Sequence, residues 1–251
     1  MMATWLDAAG IQGRYGVLEV PPERFDALAD GLAELGLVGV NVTLPHKKAA
    51  FAAARTASDA ARSVGAANRL TVTSQGLYAH NTDVEGVAAA LADDPGAGPA
   101  VLIGAGGAAR AALHCLKQRD REIRIVNRTR ARAERIASEL GVDAVIYTEP
   151  ADALAGAVLV INATSLGMSG KTAFAPDFSA CASNALAFDM VYTPLRTGFL
   201  TAAAQSGLRT VDGLTMLIGQ ARASFEAFYR AAPGPDSLVR PILEARLEGR
   251  A

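Results

Sequence analysis

The chain has 251 residues, with 24 basic and 25 acidic side chains and a formal charge of −1. Hydrophobic residues make up 51% of it, enough for one large core or two modest ones. The charge balance argues against a protein held on nucleic acid by its net charge. Cys115 and Cys181 show neither a disulfide framework nor metal-ligand spacing, so no metal and a reducing, cytoplasmic setting are expected. Residues Met1 to Ile11 include Asp7 and lack the apolar run of a secretory signal. No stretch reaches the ~18 uninterrupted apolar residues of a membrane span.

The patterning alternates strand and helix, which predicts α/β architecture with parallel sheets. Residues 3–9 read as a short helix and Arg14 to Val20 as a strand. Pro21 and Pro22 open a helix predicted to run through Leu35, because Phe25, Leu28, Leu32 and Leu35 recur at spacings of three and four. Leu37 to Val42 is the next strand, and Pro45 suits the first turn of the helix after it. Asn68 to Thr73 and Leu77 to His80 read as two strands around a turn at Gln75 and Gly76. Asp94, Pro95, Gly96, Gly98 and Pro99 form a linker-like cluster. Beyond it, strands are expected at Ala100 to Ile103, Ile123 to Val126, Ala144 to Tyr147, Val158 to Ile161 and Leu186 to Phe188. A long helix follows from Leu214 to Arg230, and a last one after Pro241.

Two loops carry chemistry. The first is Gly104-Ala105-Gly106-Gly107-Ala108-Ala109, between an apolar strand and a helix, the context a dinucleotide fingerprint requires. Gly104 permits the tight turn, Gly106 lets a pyrophosphate approach the backbone at the helix N-terminus, and Ala109 allows close helix–strand packing. The next strand ends at Val126 and is followed by Asn127-Arg128-Thr129, with Arg132 one helical turn on. An acidic residue there would read a ribose 2′-hydroxyl. Arginine suits a 2′-phosphate instead, so NADP is the expected cofactor.

The second loop is Asn41-Val42-Thr43-Leu44-Pro45-His46-Lys47, leaving a strand toward a helix. Asn41 and Thr43 can bond hydroxyls, and Lys47 can pass a proton where an arginine could not. Asn81-Thr82-Asp83 follows a later strand, and its carboxylate can pair with Lys47 and a substrate hydroxyl. Alone, each has a plain structural reading: Lys47 as a surface charge, Asp83 as a helix cap.

With these loops the chain resembles the shikimate dehydrogenase family. The resemblance begins near Thr4 and keeps the family's motif order. It covers Asn41-Val42-Thr43 with Pro45 and Lys47, Gly65-Ala66-Ala67-Asn68, Asn81-Thr82-Asp83 and the Gly104 loop. It continues through Asn127-Arg128-Thr129, Asn162-Ala163-Thr164-Ser165, Asp189-Met190-Val191-Tyr192 with Pro194, and Asp212-Gly213-Leu214 with Gln220. The resemblance implies a Rossmann NADP-binding domain, residues 84–213, inserted in a smaller α/β substrate-binding domain of residues 1–83 and 214–251. It implies interconversion of 3-dehydroshikimate and shikimate with NADP, a step of the shikimate pathway to aromatic amino acids. By position, Lys47 and Asp83 are then the catalytic pair. Thr43, Asn68, Tyr192 and Gln220 contact the substrate with Asp83, and Met190 and Gly213 border the nicotinamide.

The chain departs from the family pattern in two places. It lacks the usual opening strand and the Ser-x-Ser pair that binds the substrate carboxylate, and it has Arg69 where threonine is usual after the asparagine. Arg69 can be read either as a carboxylate partner or as a surface residue. The alternatives are a relative acting on quinate or another ring acid, and a non-catalytic NADP-binding protein. The expected partner is a small polyhydroxy cyclohexene carboxylate, with no nucleic acid or membrane, and the expected assembly is a monomer or homodimer.

Overall fold

The computed structural model describes residues 1–249 of the chain. Two compact units form: Met1–Glu85 with Ile218–Leu243, and Gly86–Leu217 with the residues from Glu244.

The first unit begins with α1 (Met2–Ala9) and α2 (Phe25–Gly31), followed by β1 (Gly39–Asn41), α3 (Lys47–Ala53), β2 (Thr56–Ala57) and α4 (Asp59–Val64). After them come β3 (Arg69–Thr73), β4 (Gly76–His80) and α5 (Asp83–Ala90), whose last residues belong to the second unit. The strands form one sheet in the order β1-β3-β4-β2, with β1/β3 and β3/β4 antiparallel and only β2/β4 parallel. The expected parallel sheet fails here because the two residues between β3 and β4 allow only a hairpin. One sheet face carries Leu70, Val72, Leu77 and Ala79, packed with Phe25, Ala29 and Leu32 of the region around α2 and with Ala50 and Ala61. Ser58 caps α4 by accepting from Ala61 N at 3.1 Å, and Gly65, at φ 69°, ends it.

Three expectations in this unit are corrected. Arg14 to Val20 forms no strand, and Val17 is 98% exposed. Strand-forming side chains need a ladder partner, and among the described residues β1 pairs only with β3. The helix after Pro22 is a 3₁₀ turn (Pro22–Arg24) followed by α2, which stops at Gly31, so Leu35 faces solvent. Pro45 lies not in a helical turn but in the turn before α3, closed by His46 N donating to Thr43 O at 2.9 Å.

The second unit holds β5 (Ala100–Ile103), α6 (Gly107–Lys117), β6 (Ile123–Val126), α7 (Arg130–Leu140), β7 (Ala144–Tyr147) and α8 (Pro150–Ala153). Then follow β8 (Leu159–Asn162), β9 (Leu186–Asp189), α9 (Gly198–Gln205), β10 (Arg209–Val211), α10 (Gly213–Tyr229) and α11 (Arg240–Leu247). The unit boundary falls inside α10, after Leu217, and again inside α11. The six strands are all parallel, in the order β10-β9-β8-β5-β6-β7. Such a sheet is covered on both faces, which explains why β5, β8 and β9 are wholly buried and, apart from Asn162 and Asp189 at the ends of β8 and β9, apolar without alternation. The order reverses between β5 and β8, the switch point at which α/β sheets bind ligands.

The linker-like cluster is firmly anchored. The Asp94 carboxylate is fully buried and takes Arg121 Nη1 at 2.8 Å, with Arg119 as a second partner. Arg121 Nε donates to Gly98 O at 2.9 Å. Among the described residues, no helix is long and apolar enough to cross a membrane, and no acidic, histidine or cysteine cluster could hold a metal.

Candidate active site

The ends of β1, β3 and β4 bring several predicted residues together in the first unit. Asn68 stands just before β3, where its backbone closes both neighbouring ladders: its O accepts from Val42 N at 2.7 Å and its N donates to His80 O at 3.1 Å. Its side chain is buried and fully used. Oδ1 accepts from Thr82 N at 2.7 Å and from the Thr82 hydroxyl at 3.2 Å. Nδ2 donates to Asp83 Oδ1 at 3.0 Å and to Gln220 Oε1 at 3.2 Å. These partners settle the amide orientation.

The other Asp83 oxygen, Oδ2, accepts from Lys47 Nζ at 2.8 Å, with side-chain exposures of 26% for Lys47 and 12% for Asp83. Asp83 N is in turn bonded by Asn81 Oδ1 at 3.1 Å, and Asn81 Nδ2 reaches Ala66 O at 2.9 Å. The arrangement is a single ammonium–carboxylate pair, held by buried neutral amides and open to solvent on the lysine side. It can bind a hydroxyl and exchange its proton. Thr43 lies exposed four residues before Lys47.

In the second unit the glycine loop sits at the β5/β8 switch point. Gly104 has φ 114°, and a Cβ there would meet Thr164 Cγ2 at 2.9 Å and the Ala163 backbone at 3.1 Å. Gly106 and Gly107 lead into α6 with open space where their Cβ atoms would lie, so the helix N-terminus is free to receive a phosphate. Ala105 completes the turn, Ala108 lies in the first turn of α6, and Ala109 is fully buried. At the end of β6, Asn127 N donates to Tyr147 O at 3.0 Å and its Nδ2 to Thr129 O at 2.8 Å. Arg128 and Arg132 are exposed and enter no ion pair among the described residues, whereas Arg130 pairs with Glu134 at 2.8 Å. With no acidic residue in the first turn of α7, this end of the helix suits an added phosphate. The residues present therefore fit NADP.

Gly213 lies against the backbone of Met190 and Val191: a Cβ would come within 2.6 Å of Met190 O. Asp189, before Met190, is wholly buried, and burial raises its carboxyl above the usual range despite bonds from Thr197, Val191 N and Asn162. Tyr192 is 40% exposed in this unit.

A profile of the shikimate dehydrogenase substrate binding domain matches residues 1–70, and one of shikimate / quinate 5-dehydrogenase matches residues 87–169. A shikimate dehydrogenase (NADP(+)) of Maricaulis maris is 45% identical over 98% of this chain and 89% of its own length. The chain belongs to the shikimate dehydrogenase family. A crystal structure of the Thermus thermophilus shikimate 5-dehydrogenase in complex with NADP(H) and shikimate is similar at TM-score 0.85 and 32% identity, covering 99% of this chain and 92% of that one. A quinate dehydrogenase of Corynebacterium glutamicum in complex with NAD is similar at TM-score 0.83 and 27% identity, over 96% of this chain and 92% of that one.

For a member of this family, the surroundings of Asn68 hold further polar groups. Arg69 is not a surface residue: it is 8% exposed and donates from Nη1 to Ala223 O of α10 at 3.0 Å. Burial lowers its pKa, against the charges of Glu85 and Tyr78. Glu85 takes His80 Nε2 at 2.5 Å, and His80 Nδ1 meets Ser58 Oγ at 2.7 Å. Burial pushes the Glu85 carboxyl up, but the His80 bond and the His80 and Arg69 charges outweigh it and leave the group below the usual range. Ser224 is a second such group. Its spacing of four from Gln220 on a helix was the available signal.

Proposed function

We propose that this chain is an NADP-dependent oxidoreductase interconverting 3-dehydroshikimate and shikimate, a step of the shikimate pathway. The observation that carries the reading is the Lys47–Asp83 pair, 2.8 Å apart and bound through Asn68 to Gln220. Bound at the glycine loop, NADP would supply or accept the hydride. Lys47 Nζ then holds the oxygen of the reacting ring carbon and moves its proton, while Asp83 orients the ammonium and balances its charge. Gln220, Thr43 and Tyr192 bind the ring substituents, Asn68 joins them by giving up its 3.2 Å bond to Gln220, and Met190 and Gly213 border the nicotinamide. Gly104, Gly106 and Gly107 cradle the pyrophosphate, and Arg128 with Arg132 holds the 2′-phosphate.

We assign residues 1–83 and 214–251 to the substrate domain and 84–213 to the cofactor domain. The enzyme is read as a cytoplasmic monomer or homodimer acting on a small molecule, with no nucleic acid or membrane partner. The complete Lys47–Asp83–Asn68–Gln220 network favours turnover over a non-catalytic binding role. NADP+ and NAD+ reduction with shikimate and with quinate tests the assignment. Shikimate with NADP+ is expected to give the highest kcat/KM. A clear preference for quinate, or no turnover with either acid, overturns it.

A further inference from the structure

Behind Met190 and Gly213 lies a buried carboxylate that the mechanism above does not use. Asp189 ends β9, is wholly buried, and enters no ion pair among the described residues. Its surroundings offer it donors only. Oδ2 accepts from the Thr197 hydroxyl at 2.6 Å, whose oxygen accepts in turn from Leu200 N at 3.2 Å. Oδ1 accepts from Val191 N at 3.0 Å and from Asn162 Nδ2 at 2.9 Å. The Asn162 amide is fixed by a group that can only donate, because its Oδ1 takes Thr164 N at 3.1 Å. A neutral carboxyl would bring a fourth proton to this site and leave the Thr197 hydroxyl without its acceptor. The three donors therefore hold the charged form against the burial that disfavours it.

One peptide carries this charge to the surface of the cofactor unit. The Val191 N–H points at Asp189, and the trans peptide that joins Val191 to Met190 turns the Met190 carbonyl the opposite way. There Met190 O faces Gly213, where a Cβ would come within 2.6 Å of it. A carboxylate accepting from the N–H end polarises the carbonyl at the other end. A nicotinamide ring is cationic when oxidised and neutral when reduced, so a fixed negative charge behind Met190 acts on the two forms unequally. The adenosine half of the cofactor is the same in both.

We propose that Asp189 is a positioning residue whose buried charge, acting through the Met190–Val191 peptide, makes the site favour oxidised over reduced cofactor. The proposal rests on the reading above, which puts Met190 and Gly213 beside the nicotinamide. Asp189→Asn tests it, because asparagine keeps the shape: its oxygen retains Val191 N and Asn162, and its NH₂ can donate to the Thr197 oxygen. Wild type and variant are titrated with NADP+, NADPH and adenosine 2′,5′-bisphosphate. Opposite unit charges about 10 Å apart, at an effective dielectric of about 20, shift an equilibrium roughly tenfold. The NADP+ affinity should therefore fall by roughly three- to tenfold relative to that of NADPH, with the bisphosphate bound as before. A merely structural role would weaken both cofactors alike, so an unchanged NADP+-to-NADPH ratio overturns the proposal and leaves the shikimate reading standing. A wild type that binds neither cofactor overturns that reading, and the proposal with it. A second measurement needs no variant: the infrared spectrum of the wild type at neutral pH should lack the band of a protonated, buried carboxyl, and the presence of that band overturns the proposal.

Discussion

Asp83→Asn is the sharpest probe of the catalytic pair because it changes almost nothing but charge and one donor. Asp83 Oδ1 faces Asn68 Nδ2 at 3.0 Å and Oδ2 faces Lys47 Nζ at 2.8 Å. Both neighbours are donors, so an asparagine must turn its own NH₂ group toward one of them. If its oxygen stays on Asn68, which is itself fixed by Thr82, the NH₂ meets the ammonium. Lys47 then loses its only charge partner among the described residues, at a site where its side chain is 26% exposed. A lost charge-assisted bond is worth about 1.5–3 kcal/mol, or roughly ten- to hundredfold in positioning. If Lys47 also moves the proton, general acid–base catalysis adds its own ~100- to 10,000-fold. We therefore expect kcat to fall by about two to four orders of magnitude in Asp83→Asn and in Lys47→Met. The double variant should fall well short of the product of the two losses, because the residues act as one unit. Steady-state NADP+ reduction reads kcat, and fluorescence titration reads NADP+ affinity, which should hold within about twofold by the same reasoning. Exposed Lys48→Ala is the control. A Lys47→Met enzyme with near-normal kcat would refute the reasoning and leave Lys47 a charge at a helix start.

Three further outcomes are expected. Arg128→Ala should weaken NADP+ binding by roughly ten- to hundredfold, as for one lost charged hydrogen bond, and leave NAD+ binding unchanged; equal losses in calorimetric titrations of both cofactors would contradict the 2′-phosphate role. Asp94→Ala strands Arg121, whose side chain is 0% exposed, without its carboxylate; urea unfolding should show a loss of about 3–5 kcal/mol, and a loss under 1 kcal/mol would mean the pair is dispensable. Glu85 is held below the usual carboxylate range, so its contribution to stability is present above the unfolded-state pKa and lost as pH falls through the folded one. Glu85→Gln should accordingly flatten the acid limb of a Tm–pH curve, and an unaltered limb would count against the His80–Glu85–Arg69 electrostatics.

The nucleotide half was legible because its signals are local. An apolar strand buried on both faces, a glycine turn and a helix start are contiguous from Val101 to Ala109, and Arg128 follows within one βα unit. Lys47 and Asp83 could be named from the resemblance, but their 2.8 Å contact joins residues 36 apart. Periodicity cannot show such a contact. The Asn41–Ser224 bond spans 183 residues, and of the two readings of Arg69, carboxylate partner or surface residue, the second falls only when α10 is seen to cover it. Asp94 misled for the opposite reason. Its Pro- and Gly-rich surroundings have the composition of a linker, whereas two arginines 25 and 27 residues on supply the buried charge partners that fix it.

The failure at Arg14 to Val20 and the success around Asn68 have one physical root, which is where strand ladders end. A β-prone segment becomes a strand only if it pairs with a neighbouring edge, and among the described residues β1, at the sheet edge, pairs with β3 and not with Arg14 to Val20. Around Asn68 the ladders of β1 and β4 both close on one residue, and the backbone donors just beyond them, Thr82 N and Asp83 N, are taken by the side chains of Asn68 and Asn81. The amides that position the charged pair thus also satisfy buried backbone. Replacing Asn68 by alanine leaves Thr82 N buried and unpaired, at a cost of about 1–3 kcal/mol, and at the same time frees Asp83 and Gln220. Loss of activity in that variant cannot by itself separate a failed site from a failed ladder end, whereas Asp83→Asn, which leaves every backbone bond in place, can.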